Sequence, residues 1–232
     1  MGRVDAPFDG RVVVVTGAGG GIGRALSVGF SNDGARVVGI GRRENTLAET
    51  AKLCTEQTTY LCADLSQPDQ CFAAMQEVIA THGRVDVLVN NAAAAAQGAF
   101  LETQFEDWAR AIATNVVGVA ACSRAVLPQM VRQGCGRIIT LTSRAAVTPI
   151  RGMSAYSVSK AAARALTISL ADEITGGHPD ILINDLIPGP TKTGMNPIGQ
   201  APEAVYPFVR DLALFRPGGP SGVAFFKGEP YG

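Results

Sequence analysis

Apolar residues along this chain fall into short unbroken runs that alternate with stretches of helical period. Residues 11–16 form a β-branched run followed at once by glycines, and 24–33 carry a helical pattern that stops at Gly34. Segments 35–40, 59–62, 85–89, 137–141, 181–187 and 223–226 read as further strands, which makes seven. Between them, helices are predicted at 44–54, around Cys71, Phe72, Met75, Val78 and Ile79 before Gly83, at 105–132, at 154–175 and at 202–214. Strands that are apolar throughout, alternating with helices, are buried on both faces, as in a parallel sheet covered by helices. The expectation is an α/β, single-domain, doubly wound Rossmann fold with a mostly parallel seven-stranded sheet, whose ligands sit beyond the carboxyl ends of the strands.

The bulk numbers narrow the partners. At 232 residues and 47% hydrophobic content, one domain with a large core is expected. Twenty basic and twenty acidic residues cancel, and no basic cluster is long enough to track a phosphate backbone, so nucleic acid is not expected. Uninterrupted apolar strings fall far short of the ~20 residues of a membrane span, and the opening residues hold no signal-peptide core. Met1-Gly2 is not followed by Ser or Thr at position 6, which speaks against myristoylation. A cytoplasmic protein without membrane partners is the expectation. Five scattered cysteines without a CxxC pair predict reduced, mostly buried thiols, and His82 and His178 stand apart from metal-type ligands at helix ends or in loops. No metal is expected.

Two constellations carry chemistry. Tyr156 and Lys160 are four residues apart, which on a helix stacks both side chains on one face. One cation about 4 Å from a phenol, at an effective dielectric of about 20, contributes roughly 4 kcal/mol. That is enough to bring a phenol from near pH ~10 toward neutrality, where proton transfer works best. The pair alone equally fits a solvated helix face. Thr16-Gly17-Ala18-Gly19-Gly20-Gly21-Ile22-Gly23 lies between the first strand and first helix, where backbone N–H groups and the helix dipole suit a pyrophosphate. The dinucleotide GxGxxG spacing is not met, because Ile22 takes the place of its last glycine.

The spacing of Gly17, Gly21 and Gly23 instead resembles the TGxxxGxG turn of the classical short-chain dehydrogenase/reductase family, and the resemblance extends over most of the chain. Asp64, followed by Leu65, matches the family aspartate at the adenine edge. Asn90-Asn91-Ala92-Ala93 resembles its Asn-Asn-Ala-Gly turn, with Ala93 in place of glycine. Asn115, seven residues after Trp108, falls at the family's catalytic asparagine, and Ser143 precedes Tyr156 by thirteen residues as the catalytic serine does. Tyr156 and Lys160 complete a YxxxK signature, and Pro188-Gly189, Thr191 and Thr193 lie in a PGxxxT loop over the nicotinamide. The resemblance implies a cofactor half at about 8–145 and a catalytic and substrate half at about 146–232, within a single domain of residues 1–232. It implies hydride exchange with a ketone or secondary alcohol. Tyr156 acts as general acid/base, Ser143 polarises the substrate oxygen, Lys160 holds the ribose and lowers the phenol pKa, and Asn115 anchors a water for proton relay. The remaining expected cofactor contacts are Gly19, Ile22, Asn91 and Ala92. Ser143 alone could be a strand-end hydroxyl, and Asn115 a polar residue satisfying its own helix.

Where an NAD-selective site usually places an acid, the second strand ends in Gly41-Arg42-Arg43. Arg42, with Arg43 secondary, suits a 2′-phosphate, so NADP(H) is expected over NAD(H), although two solvated arginines opening a helix fit the same residues. Only eight residues separate Thr193 from Pro202, where family members carry a longer segment over the substrate, so a small-molecule or carrier-bound substrate is expected. Ala145, Met153, Gly189, Met195 and Tyr206 are candidate pocket residues. Ala93 must keep φ negative or accept strain. Residues 116–121 are apolar around the helix, which together with the resemblance implies a homodimer or homotetramer. The alternatives are a cofactor-retaining epimerase or dehydratase, and a non-catalytic NADP(H) sensor, a class with no need of a complete Ser143, Tyr156 and Lys160 set.

Overall fold

All seven strands read from the sequence form, in a computed structural model that describes residues 6–231. They are β1 (Val12–Thr16), β2 (Arg36–Gly41), β3 (Thr59–Cys62), β4 (Val87–Asn90), β5 (Gly136–Leu141), β6 (Ile181–Ile187) and β7 (Ala224–Phe226). They pair in parallel in the order β3-β2-β1-β4-β5-β6-β7. An eighth strand, β8 (Glu229–Pro230), corrects the expected count; it pairs antiparallel to β7 at the sheet edge. Lys227 (φ 51°) and Gly228 (φ 84°) turn the chain between them, two left-handed residues in a row as a tight hairpin requires. No Asn-Gly or Asp-Gly marked this turn in the sequence, and the strand is only two residues long. The Met1-Gly2 reading lies outside the described residues.

The uniform apolarity of the strands has a direct cause. Val12 and Val14 point into one core with Leu88, Ile138, Ile181 and Ile183, while Val13 and Val15 point into the other with Val87, Val89, Ile139 and Leu186. Successive residues of a strand face opposite sides, so two buried faces demand a continuous apolar run. The first core is covered by α3 (Pro68–His82), α5 (Gly118–Gln133) and α6 (Ser154–Thr175), the second by α1 (Gly21–Asn32), α2 (Glu44–Ala51) and α7 (Tyr206–Ala213). β1 pairs with both β2 and β4, so the winding reverses there and a crevice opens beyond the carboxyl ends of β1 and β4.

The predicted long helix is continuous from Phe105 to Gln133, but it is not uniform. α4 (Phe105–Ile112) gives way to a π-helical segment, Ala113–Val117, before α5 begins. Hydrophobic period cannot reveal such a bulge, because one extra residue in a turn leaves the composition unchanged. By length and apolarity this helix could span a bilayer; half of its most apolar window is buried inside the fold. Val117 on its outer side is exposed, as are Val158 and Ile168 on α6. The final predicted helix divides into a 3-10 turn, Pro202–Val205, and α7. All five cysteines are free, but only Cys71 and Cys122 are buried and Cys62 is exposed, fewer buried thiols than expected. His82 closes α3 and His178 lies in a loop, and no metal-type cluster occurs among the described residues.

Candidate active site

The crevice starts at the glycine turn. Gly17 and Ala18 donate backbone bonds to Ile40 O, and Gly17 (φ 68°) and Gly21 (φ 52°) take left-handed conformations. A Cβ on Gly23 would lie 2.1 Å from Gly17 O and 2.6 Å from Asn91 Nδ2, so α1 can seat on the turn only through a glycine. Thr16 Oγ1 accepts from Asn91 N and Ala92 N, and Asn91 Nδ2 donates to Thr16 O at 2.8 Å. These bonds join the two turns that follow β1 and β4. Ala93 keeps φ negative, since Lys227 is the only non-glycine at positive φ among the described residues. Arg24, not anticipated from the sequence, holds the outer side by donating to Gly19 O, Thr50 Oγ1 and Glu49.

Gly20 precedes α1 with no side-chain cap, and a Cβ there would meet nothing within 4 Å. The N-terminus of α1 thus has no side-chain cap, which fits an anionic ligand. Ile22 packs half-buried against the second core. Thr193, from the loop after β6, lies against Gly21 on the opposite wall: a Cβ on Gly21 would sit 3.0 Å from the Thr193 methyl.

At the end of β2, Arg42 and Arg43 are exposed, and Arg42 Nη1 lies 4.0 Å from Asp64 Oδ2. Burial pushes the Asp64 carboxyl upward, but bonds from Ser66 N and Oγ and the nearby Arg42 outweigh it and hold the group below its ordinary value. Arg43 uses its carbonyl to accept from Thr46 Oγ1 at the start of α2. Leu65 is buried, and its carbonyl lies against α5 so closely that a Cβ on Gly118 would be 2.1 Å away.

The candidate reacting groups converge at the carboxyl end of β5 and the start of α6. Ser143 caps the short turn Arg144–Ala146, accepting from Ala145 N at 3.1 Å, and its hydroxyl lies near enough to the Tyr156 phenol to act on it. Burial raises the phenol above its ordinary value, with nearby Ser143 opposing. Lys160 Nζ is buried, donates to Leu141 O at 2.7 Å and lies 5.6 Å from the Tyr156 ring centroid. The lowering of the phenol expected from Lys160 is thus not present in this arrangement: desolvation wins, and the ammonium is turned to a carbonyl. Burial brings Lys160 itself down to about 8, with Asp185 acting against it.

Asn115, in the π segment, donates from Nδ2 to Ala94 O and to Ser159 Oγ and accepts from Ala94 N, all at 2.8 Å. Both amide hydrogens are engaged, so this side chain clamps the turn after β4 to α6. Ser159 continues the chain by donating to Tyr156 O at 2.8 Å. Its place inside the Tyr-to-Lys signature was the only sequence signal available for it.

After β6, Gln200 Nε2 donates to Pro188 O at 2.7 Å, Thr191 Oγ1 donates to Gly189 O, and Gln200 pairs with Thr191 in an isolated bridge. Thr193 Oγ1 caps the turn to Asn196. This short loop is therefore tied to itself, leaving Met195 and Ile198 exposed. Ala145 is buried beside Ser143, and Met153 caps α6. Tyr206 is a correction: its hydroxyl donates to Asp33 Oδ2 at 2.8 Å and its ring packs on Phe30 and Gly29, so it joins α7 to α1. A cleft of about 380 Å³ beside the start of α6 is lined by Gly98, Phe100, Ile150, Arg151 and Ser154.

A reversing parallel sheet with an uncapped glycine turn, together with a half-buried Tyr156, a buried Lys160 and a serine, defines a dinucleotide-binding oxidoreductase. The chain belongs to the short chain dehydrogenase family, whose sequence model matches residues 11–202. It is 37% identical over 194 residues to the short chain dehydrogenase/reductase astE of Aspergillus oryzae, covering 81% of this chain and 74% of that one. It is 31% identical over 188 residues to the 3-oxoacyl-[acyl-carrier-protein] reductase FabG of Salmonella typhimurium, covering 81% and 76%. Among solved structures, an actinorhodin polyketide ketoreductase mutant with NADPH superposes with a TM-score of 0.87 at 26% identity, covering 96% of each chain. NAD+-bound xylitol dehydrogenase matches with the same TM-score at 24% identity, covering 95% and 98%, a likeness of fold alone.

Proposed function

We propose that this protein is an NADP(H)-dependent ketoreductase, or secondary alcohol dehydrogenase in reverse. The observation that carries the reading is the Tyr156 phenol, with Ser143 acting on it and the buried Lys160 5.6 Å from its ring centroid. The N–H groups opening α1 would hold the pyrophosphate, Asp64 and Leu65 the adenine side, and Lys160 the nicotinamide ribose. NADPH supplies the hydride. With its pKa raised, Tyr156 stays protonated at neutral pH and is set to give its proton to a carbonyl oxygen, and Ser143 hydrogen-bonds that oxygen as negative charge develops. The ketone substrate class draws support from the polyketide ketoreductase and 3-oxoacyl reductase relatives. The short, self-tied loop with Met195 and Ile198 exposed supports a bulky or carrier-bound substrate. Exposed Val117, Val158 and Ile168 support association of two or four copies through α5 and α6, which light scattering tests.

The deciding experiment is a panel of ketones and alcohols assayed with NADPH and NADP+ at the reduced-nicotinamide absorbance band. Turnover of a ketone with net NADPH oxidation supports the reading. Dinucleotide binding without net redox on any panel member overturns it in favour of a cofactor-retaining or sensing role. Cofactor choice is tested separately. Arg42 is 65% exposed and free to turn toward a 2′-phosphate, and Gly41 presents no acid to repel one. Losing a charge-assisted contact costs ~1.5–3 kcal/mol, so Arg42→Ala is expected to raise the NADPH KM roughly 10- to 100-fold and leave that for NADH nearly unchanged. Equal effects on both cofactors would remove the basis for NADP(H) preference.

A further inference from the structure

Resting on the reading of Lys160 as a dinucleotide contact, we propose that Asp185 is a positioning residue, the buried counter-charge that keeps Lys160 protonated from behind the site. On β6, Ile181 and Ile183 point into the core beneath α6. The next position in that row is Asp185, fully buried, where alternation calls for another apolar side chain. The stripe of α6 that faces it carries Lys160, Arg164 and Thr167, at helical spacing. Thr167 Oγ1 donates to Asp185 Oδ1 at 2.6 Å. Arg164 Nη1 stops 3.8 Å from Asp185 Oδ2, and both of those atoms are buried without a hydrogen-bond partner.

Lys160 and Arg164 are the charged groups that act on the carboxyl, both from α6; the sheet neighbours of Asp185 are Thr140 and Ala224, which carry no charge. A packing role alone is served at least as well by an apolar residue, since a buried ion pair rarely repays its desolvation. Burial raises Asp185 to about 7, with Thr167, Arg164 and Lys160 opposing, and brings Lys160 down to about 8, with Asp185 opposing. Neutralising the carboxyl removes that support, so Lys160 must lose its proton at lower pH.

The test is titration of the protein with NADPH, followed by nicotinamide fluorescence from pH ~6 to ~9.5. Affinity is expected to fall as pH rises through about 8 in the wild type, and Lys160→Met should flatten that limb. Asp185→Asn should move the midpoint down by roughly one pH unit, and Thr167→Val, which keeps the carboxyl but removes its donor, should move it less in the same direction. A merely structural role would lower affinity or stability without moving the midpoint, and an unmoved midpoint in Asp185→Asn overturns the proposal. Denaturant unfolding of the protein without dinucleotide gives an independent reading: at pH ~8 the effects of Lys160→Met and Asp185→Asn should be non-additive. Additive effects overturn the pairing. Failure of the wild type to bind any dinucleotide overturns instead the assignment of Lys160 as a cofactor contact, and the unfolding cycle still judges the pairing.

Discussion

Tyr156→Phe is expected to lower kcat on any accepted ketone by roughly 10²- to 10⁴-fold, the range that a positioned general acid supplies. NADPH affinity should change by less than about twofold, because the aromatic ring that packs near Lys160, 5.6 Å from its centroid, is retained. The hydroxyl is the only group removed, and nearby Ser143 accepts from Ala145 N and so stays placed. Single-turnover measurement with saturating NADPH isolates the chemical step. Turnover within tenfold of wild type would mean that the proton comes from elsewhere and that Tyr156 only lines the crevice. Because burial raises the phenol, the wild-type reduction rate should hold through neutral pH and fall only as the group ionises in the alkaline range. Stability follows the same sign: a phenol whose folded pKa exceeds its unfolded value contributes stability below the unfolded value, lost as pH rises through the folded one.

The second large effect is structural. Gly23→Ala should destabilise the protein by about 3 kcal/mol, the upper end for overpacking a close-packed site. At this chain length that lowers Tm by roughly 6–12 °C. The added methyl would lie 2.1 Å from Gly17 O, a backbone atom that cannot step aside without breaking the bonds from Gly17 and Ala18 to Ile40 O. NADPH binding should fail as well, because the same shift moves the N–H groups that open α1. Gly20→Ala is the contrasting variant. Its backbone is extended (φ −179°) and a Cβ there meets no protein atom within 4 Å, so Tm should stay near wild type. Any loss of NADPH affinity in Gly20→Ala then reports that the open surface itself is the ligand's. A wild-type Tm in Gly23→Ala would mean that the turn is looser than its contacts indicate.

Much of the site was legible because each part is announced by residues near one another in sequence. The glycine turn, Ser143, Tyr156 and Lys160 fall on strand ends and a helix start that local pattern locates, and the fold brings the last three together. Tyr206 was misplaced for the opposite reason. An aromatic residue shortly after a substrate loop looks like a pocket residue, yet its partner Asp33 is 173 positions away. Arg24, Ser159 and Gln200 were missed because a polar side chain becomes a clamp only through the backbone it reaches, and period does not encode that. Asn115 was found, but its clamp onto Ala94 depends on the π segment, which period does not encode.

What the sequence determined by itself is whatever rests on local geometry and on burial averaged over a segment. That covers the alternating strands and helices, the two-faced sheet, the need for glycine where φ is positive, and a helix that sets Tyr156 and Lys160 on one side. What only the tertiary structure decided is where charge and hydrogen bonds end up. Burial overrode the expected influence of Lys160 on the phenol, a carboxylate was buried beneath α6 beside Thr167 and Arg164, and the end of β7 folded back as an antiparallel edge strand. The reason is physical: periodicity follows from the fixed repeat of the backbone, whereas desolvation and pairing depend on which distant groups share a low-dielectric interior.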